Sequence, residues 1–303
     1  MNRANRFARR IGGRARSSEN APDALLRLSI GSESVYRFTP GLCERRRTAL
    51  GVDLAVLDFL MKFRGKLEGY TLQLGRQGFH IPTGADHPER KAAEAILRKY
   101  DEFVDLDRLA GTSGYAEPLF RYLGSKNTIS MDASSFEGAE IVHDMNNPVP
   151  AELYGQFDTI FDGGTIEHIF NAPMAFENVR KMLKIGGLFL SVNAANNQLG
   201  HGFYQYSPEL MWRLFCAETG FSVELMQLVL IGDKPQPVDT PDPAVVGRRL
   251  QIGTTPGPTY LLLAARKIGE ATAGYTPQQS DYSAAWTSAT DAPAAPAPAP
   301  RIG

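Results

Sequence analysis

Between residues 67 and 268, short apolar runs alternate with helix-length segments, and the runs stop at acids, amides or glycines. Tyr70 to Leu74 runs into Gly75-Arg76-Gln77-Gly78. Asn127 to Met131 ends at Asp132, and Ile141-Val142-His143 ends at Asp144. Phe157 to Phe161 ends at Asp162-Gly163-Gly164, and Gly187 to Val192 ends at Asn193. This alternation is the signature of an α/β sheet built with crossovers. In open sheets of that kind, ligands bind beyond the carboxyl ends of the strands, so these endings are expected around one crevice.

The helical segments carry their own punctuation. Ala172, Phe176, Val179 and Leu183 form an apolar stripe, with Gly186 expected as the left-handed stop. Ser207-Pro208 reads as an N-cap followed by proline at the first helical position, opening a helix that runs to Gly220. Phe221 to Ile231 and Thr259 to Ala265 complete seven strands, and the proline-rich 232–258 between them is expected as a surface excursion. The segments 89–100 and 106–122 form a helical insertion, about 83–125, between the first two strands.

Hydrophobic residues at 43% allow a sizeable core, and a net charge of -1 argues against a dedicated nucleic-acid binder. No apolar run approaches the ~18 residues of a membrane span. Cys43 and Cys216 provide neither metal-ligand spacing nor a disulfide framework, which points to a reducing, cytoplasmic setting. The first sixteen residues hold six arginines and no acid, so 1–20 is expected to be a disordered basic arm. Residues 21–66 form an N-terminal cap around an amphipathic helix at 47–63, with Leu50, Leu54, Leu57 and Met61 on its buried face. The Ala/Pro-rich 269–303 is expected to be a disordered tail.

The run FDTIFDGGTIEHIFNAPMAFENVRKMLKIGGLFLSV resembles the core of class I S-adenosylmethionine-dependent methyltransferases. The matching residues are Phe157-Asp158, Glu167-His168 and Leu183-Lys184-Ile185-Gly186-Gly187. The resemblance implies a doubly wound, seven-stranded Rossmann-like sheet over 67–268, with S-adenosylmethionine as cofactor. Carried over residue by residue, Gly75, Gln77 and Gly78 form the turn under the methionine part. Asp132 takes the ribose hydroxyls, Asp144 with Met145 meets the adenine, and Asp162 with Gly163 borders the sulfonium. A carboxylate is acceptor-only and suits two hydroxyls, and glycine allows close backbone approach. Capping of turns is the competing use of Asp132 and Asp144. The first motif departs from the family: Gln73 replaces the usual acid, and the glycine turn is sparse.

Methyl transfer to oxygen needs positioning and a proton acceptor, and histidine is the usual base near neutral pH. His168, directly after the fourth strand, and His201, after the fifth, are the candidates; packing at a helix start is the competing role of His168. The stretch NAANNQLGHGFYQYSP is dense in amides and aromatics, and Asn197, Tyr204 and Tyr206 are expected to wall a small polar or carbohydrate acceptor. The expected activity is therefore O-methylation of such an acceptor. Two rivals are a non-catalytic domain of the same fold, marked by Arg76 or Gln77 filling the methionine pocket, and a nicotinamide-dependent oxidoreductase. The second rival lacks both its fuller glycine turn and its acid ~20 residues on.

Overall fold

The computed structural model describes residues 51–290 apart from 101–102, 232–234, 252 and 254. The basic arm at 1–20, the cap up to residue 50 with Cys43, and the Ala/Pro run from 291 lie outside the described residues. One sheet holds β1 (Tyr70–Leu74), β2 (Asn127–Asp132), β3 (Ile141–Val142), β4 (Phe157–Asp162), β5 (Leu183–Asn196), β6 (Phe221–Leu230), β7 (Gln236–Asp239) and β8 (Thr259–Lys267). Their order is β3-β2-β1-β4-β5-β8-β6-β7. The first five strands are parallel, and β8 runs antiparallel to both β5 and β6.

The helices are α1 (Leu54–Met61), α2 (Pro88–Lys99), α3 (Leu106–Ala110), α4 (Glu117–Tyr122), α5 (Ala172–Met182), α6 (Pro208–Leu214), α7 (Pro243–Val246) and α8 (Ser280–Thr290). They supply the two apolar layers that a mostly parallel sheet needs. Leu57, Phe59 and Leu60 of α1 join Leu97, Leu109 and Phe120 over one face, against Leu190 and Leu262. Phe176, Phe215 and Phe221 cover the other, against Phe189, Leu261 and Leu263. Neighbouring residues of β8 thus enter opposite cores, the two-residue period of a strand buried on both sides.

The N-terminal helix is shorter than the expected 47–63. It starts after Asp53, whose side chain accepts from Val56 N at 2.9 Å. Nearly all its residues are buried, including ones off the apolar stripe, so α1 is part of the core over one face of the sheet. Main-chain bonds from Val52 N to Gly78 O and from His80 N to Val52 O stitch its start to the segment after β1.

Three boundaries differ from expectation. The sheet has eight strands, because residues 236–239 of the proline-rich stretch pair with β6. Pro237 is tolerated there because β7 is an edge strand. The helix α5 ends at Met182, and Leu183 already pairs with Phe157, so Gly186 (φ 86°) bends the start of β5 instead of stopping a helix. Finally, 269–290 is not a bare tail. Thr272 N donates to Glu218 O, and the amide and hydroxyl of Ser280 donate to Glu209 Oε1 at 2.8 and 2.7 Å. Arg249 pairs with Asp281 at 2.7 Å. These partners lie far off in sequence, so composition gave no sign of them.

Candidate active site

The strand order reverses between β1 and β4, and Leu74 lies in register with Asp162. This is the topological switch point, where the loops after the two strands part and a ligand crevice forms. Gly75 leaves β1 with φ 66°, a conformation costly for other residues. A Cβ on it would lie 2.7 Å from Thr165 Oγ1, so the loops after β1 and β4 touch here.

The next two side chains part in different directions. Gln77 is buried; its Nε2 donates to Leu74 O at 2.6 Å and lies 3.3 Å from Thr165 Oγ1. Its Oε1 would be 2.5 Å from a Cβ on Gly163, so Gln77 occupies the space that this glycine leaves. Arg76 reaches the other way. It pairs with Glu117 at 2.7 Å, donates to Glu137 O at 2.9 Å and lies 3.9 Å over the Tyr115 ring. The guanidinium thus ties the glycine turn both to α4 and to the loop after β2.

Of the acids expected to hold a nucleoside, Asp132 ends β2 and accepts from Ser134 N at 3.2 Å. Asp144 is exposed, and its carboxylate is engaged by Asn146 N at 2.9 Å and by the Asn146 and Asn147 amides. The main-chain and side-chain bonds from Asn146 hold its pKa below the ordinary carboxylate value. Both acids thus cap turns, Asp132 through one oxygen and Asp144 through both, while Met145 turns its side chain into the core.

Asp162 is fully buried and faces inward rather than into the crevice. Oδ1 accepts from Thr165 N (2.8 Å) and Ile166 N (3.3 Å). Oδ2 accepts from Ser191 Oγ (3.2 Å) and Asn193 Nδ2 (2.8 Å). Burial and the neighbouring Glu167 push its pKa well above the ordinary range. The Asp162 carboxylate therefore organises the loop from below.

Glu167, visible in the sequence only as half of the Glu-His pair, is the residue on which the rest of the site converges. It is fully buried in a 3₁₀ turn, Ile166–His168. Asn193 Nδ2 donates to its Oε2 at 3.0 Å, the same donor that serves Asp162. Phe203 N and Tyr204 N donate to Glu167 O at 2.9 and 3.2 Å, which clamps the loop after β5 onto this turn. Gly202 makes the close approach possible, since a Cβ there would lie 2.9 Å from Glu167 O and 3.2 Å from His168 Nδ1.

That clamp brings the two histidines together. Their ring centroids are 4.9 Å apart, and His201 Nε2 lies 3.6 Å from Glu167 Oε1. Burial lowers the pKa of His168, Glu167 opposes the shift, and His201 adds to it; the net direction is down. Tyr204 and Tyr206 stack on each other, with centroids 5.8 Å apart. Their hydroxyls donate to Phe170 O (2.6 Å) and Ile166 O (3.3 Å), so both rings brace the 166–170 segment. Asn197 sits at φ 58° with its amide donating to Thr255 O and Gly257 O, which locks this loop to the segment before β8. The neighbouring Asn196, Gln205 and Tyr206 instead line a cavity of about 740 Å³ beyond the end of β5.

Two features here are of the kind that suits an S-adenosyl group, the left-handed turn at Gly75 and the strand-end carboxylate of Asp132, while Gln77 fills the space beside Gly163. Among the described residues no helix is long and apolar enough to cross a membrane.

No family model matches the chain, and no curated protein matches it. Solved structures do. The Burkholderia thailandensis 1,6-didemethyltoxoflavin-N1-methyltransferase is 12% identical, with a TM-score of 0.36 over 71% of this chain and 78% of its own. The Streptomyces coelicolor geranyl diphosphate C-methyltransferase is 13% identical, with a TM-score of 0.37 over 70% and 80%. The Catenulisporales acidiphilia 16S rRNA (adenine(1408)-N(1))-methyltransferase is 13% identical, with a TM-score of 0.31 over 82% and 99%. At these values the likeness carries no argument about activity; the doubly wound fold stands on the strand order itself.

Proposed function

We propose that this chain is an S-adenosylmethionine-dependent methyltransferase acting on an oxygen of a small polar acceptor. The observation that carries the reading is the switch point between β1 and β4, with Gly75 in its left-handed turn and Asp132 at the end of the adjacent strand. The cofactor supplies an electrophilic methyl group on a sulfonium. Asp132 accepts the ribose hydroxyls, and the backbone at Gly75 and Gly163 borders the methionine part. The cluster of Glu167, His168 and His201 is where the proton of the acceptor hydroxyl is removed. Phe170 and Phe203, edge to face at 5.7 Å and both exposed, flank the histidines and offer ring faces to a sugar or aromatic acceptor.

Calorimetric titration of the full chain with S-adenosylhomocysteine tests the reading. Micromolar binding, about 8 kcal/mol, that Asp132→Ala weakens at least tenfold is the expected result.

A second reading is favoured by one observation. The buried Gln77 amide lies against Gly163 and Arg76 bridges two loops, as expected for a domain of this fold that has lost its chemistry. Under that reading the wild-type chain, shown to be folded, binds neither S-adenosylmethionine nor S-adenosylhomocysteine. Binding gained only in Gln77→Ala would identify the side chain that closes the pocket.

A further inference from the structure

We propose that Glu167, His168 and His201 form a binding site for a divalent transition cation of the Zn²⁺ or Fe²⁺ type. One carboxylate oxygen and one ring nitrogen from each histidine lie within 4.8 Å of one another. Two ligands about 2.1 Å from a tetrahedral ion are about 3.4 Å apart, close to the 3.6 Å between His201 Nε2 and Glu167 Oε1. Two imidazoles and a carboxylate form the ligand set of catalytic zinc sites and of the facial triad of non-haem iron, with further positions open. Magnesium and calcium prefer oxygen ligands throughout.

Three features set this cluster apart from a chance meeting of polar groups. His201 Nε2 is buried with no hydrogen-bond partner, although a buried polar atom is nearly always paired. Glu167 is fully buried beside a second buried carboxylate, Asp162, and its one ion-pair partner among the described residues is that same histidine. Burying a charge without a counter-charge is costly; a cation would complete the coordination of His201 and neutralise Glu167 together. The surrounding shell is also in place. Asn193 orients the Glu167 carboxylate from behind at 3.0 Å, the kind of outer contact that aims a ligand. Bonds from Phe203 N and Tyr204 N, together with Gly202, hold the His201 loop against the turn that carries Glu167 and His168.

The site is read independently of methyl transfer, because the probe is the metal alone. If both hold, the imidazoles serve as ligands and the cation acidifies the acceptor hydroxyl in place of a free base. The full-length chain, stripped with a chelator and dialysed, is titrated with Co²⁺ by visible absorption and with Zn²⁺ by calorimetry. One equivalent is expected to bind, with the Co²⁺ spectrum of a low-coordinate nitrogen-oxygen site, and excess Mg²⁺ does not displace it. His168→Ala and His201→Ala should each weaken binding at least as much as loss of an outer-shell partner does, about 10- to 100-fold. His168→Ala is the deciding variant because His168 is the least buried of the three ligands, and circular dichroism checks that it stays folded. No saturable binding by folded wild-type protein, or binding that both histidine variants retain unchanged, overturns the proposal.

Discussion

Asn193→Ala removes the one donor that serves both buried carboxylates. In the wild-type protein Asn193 Nδ2 lies 2.8 Å from Asp162 Oδ2 and 3.0 Å from Glu167 Oε2, and its Oδ1 accepts from Ser191 Oγ at 2.6 Å. A hydrogen bond to a charged group contributes about 1.5–3 kcal/mol, and an orphaned buried acceptor costs about as much. Asp162 keeps the main-chain donors Thr165 N and Ile166 N, and the Ser191 hydroxyl, freed from Asn193 Oδ1, can turn fully to it, so its share falls at the low end. Glu167 Oε2 loses its only side-chain donor among the described residues, so its share falls nearer the top. A loss of about 3–4 kcal/mol follows, or about 6–16 °C in Tm for a domain of this size. Urea unfolding followed by tryptophan fluorescence measures it. Thr128→Ala, which loses a single partly buried hydroxyl bond to Ser125, is the control with a smaller loss. A change below about 1 kcal/mol for Asn193→Ala would show that the two carboxylates do not depend on the shared amide.

Other outcomes follow from the same contacts. Gly202→Ala sets a Cβ 2.9 Å from the Glu167 carbonyl, a main-chain atom that cannot give way cheaply, and should cost about 1–3 kcal/mol; an unchanged Tm would mean the loop is not clamped. Asp158, at the start of β4, is pushed up by burial, but bonds from Lys184 and Tyr70 N outweigh this and hold its pKa below the ordinary 3.8. A depressed acid pKa stabilises the fold above the unfolded value, and that stability is lost as pH falls through the folded one. Asp158→Asn should therefore flatten the stability profile below about pH 4, by a modest amount because both partners are partly exposed; an unchanged acid limb in urea titrations contradicts this. His168→Ala should lower turnover more than it raises the acceptor KM, once an acceptor is in hand; equal turnover would remove His168 from the chemistry.

The strands were legible because a sheet buried on both faces needs runs such as Leu261-Leu262-Leu263, and the acids and glycines ending them marked the crevice. The α5–β5 boundary was not legible: Leu183 continues the apolar stripe of α5, and its pairing with Phe157 overrides that pattern. Strand β7 and the ordered 269–290 depend on partners distant in the chain, Gln227 to Leu230 for one and Glu209 and Glu218 for the other. His168 and His201 were both visible as candidates, but their meeting depends on Gly202 and on two main-chain bonds to Glu167. The inward turn of Asp162 and the hub role of Asn193 arise from burial, which a strand-end position alone does not specify.

The most direct measurement is a crystal structure of the full chain grown with S-adenosylhomocysteine. The expected result is ligand density across the end of β1, with its ribose on Asp132 and its amino-acid end beside Gly75. Gln77, which lies against Gly163 here, is the side chain whose position the complex compares with this structure. Density confined to the cavity beside Asn196 and Tyr206, or an empty crevice at saturating ligand with Gln77 still against Gly163, would contradict the assignment of the cofactor site.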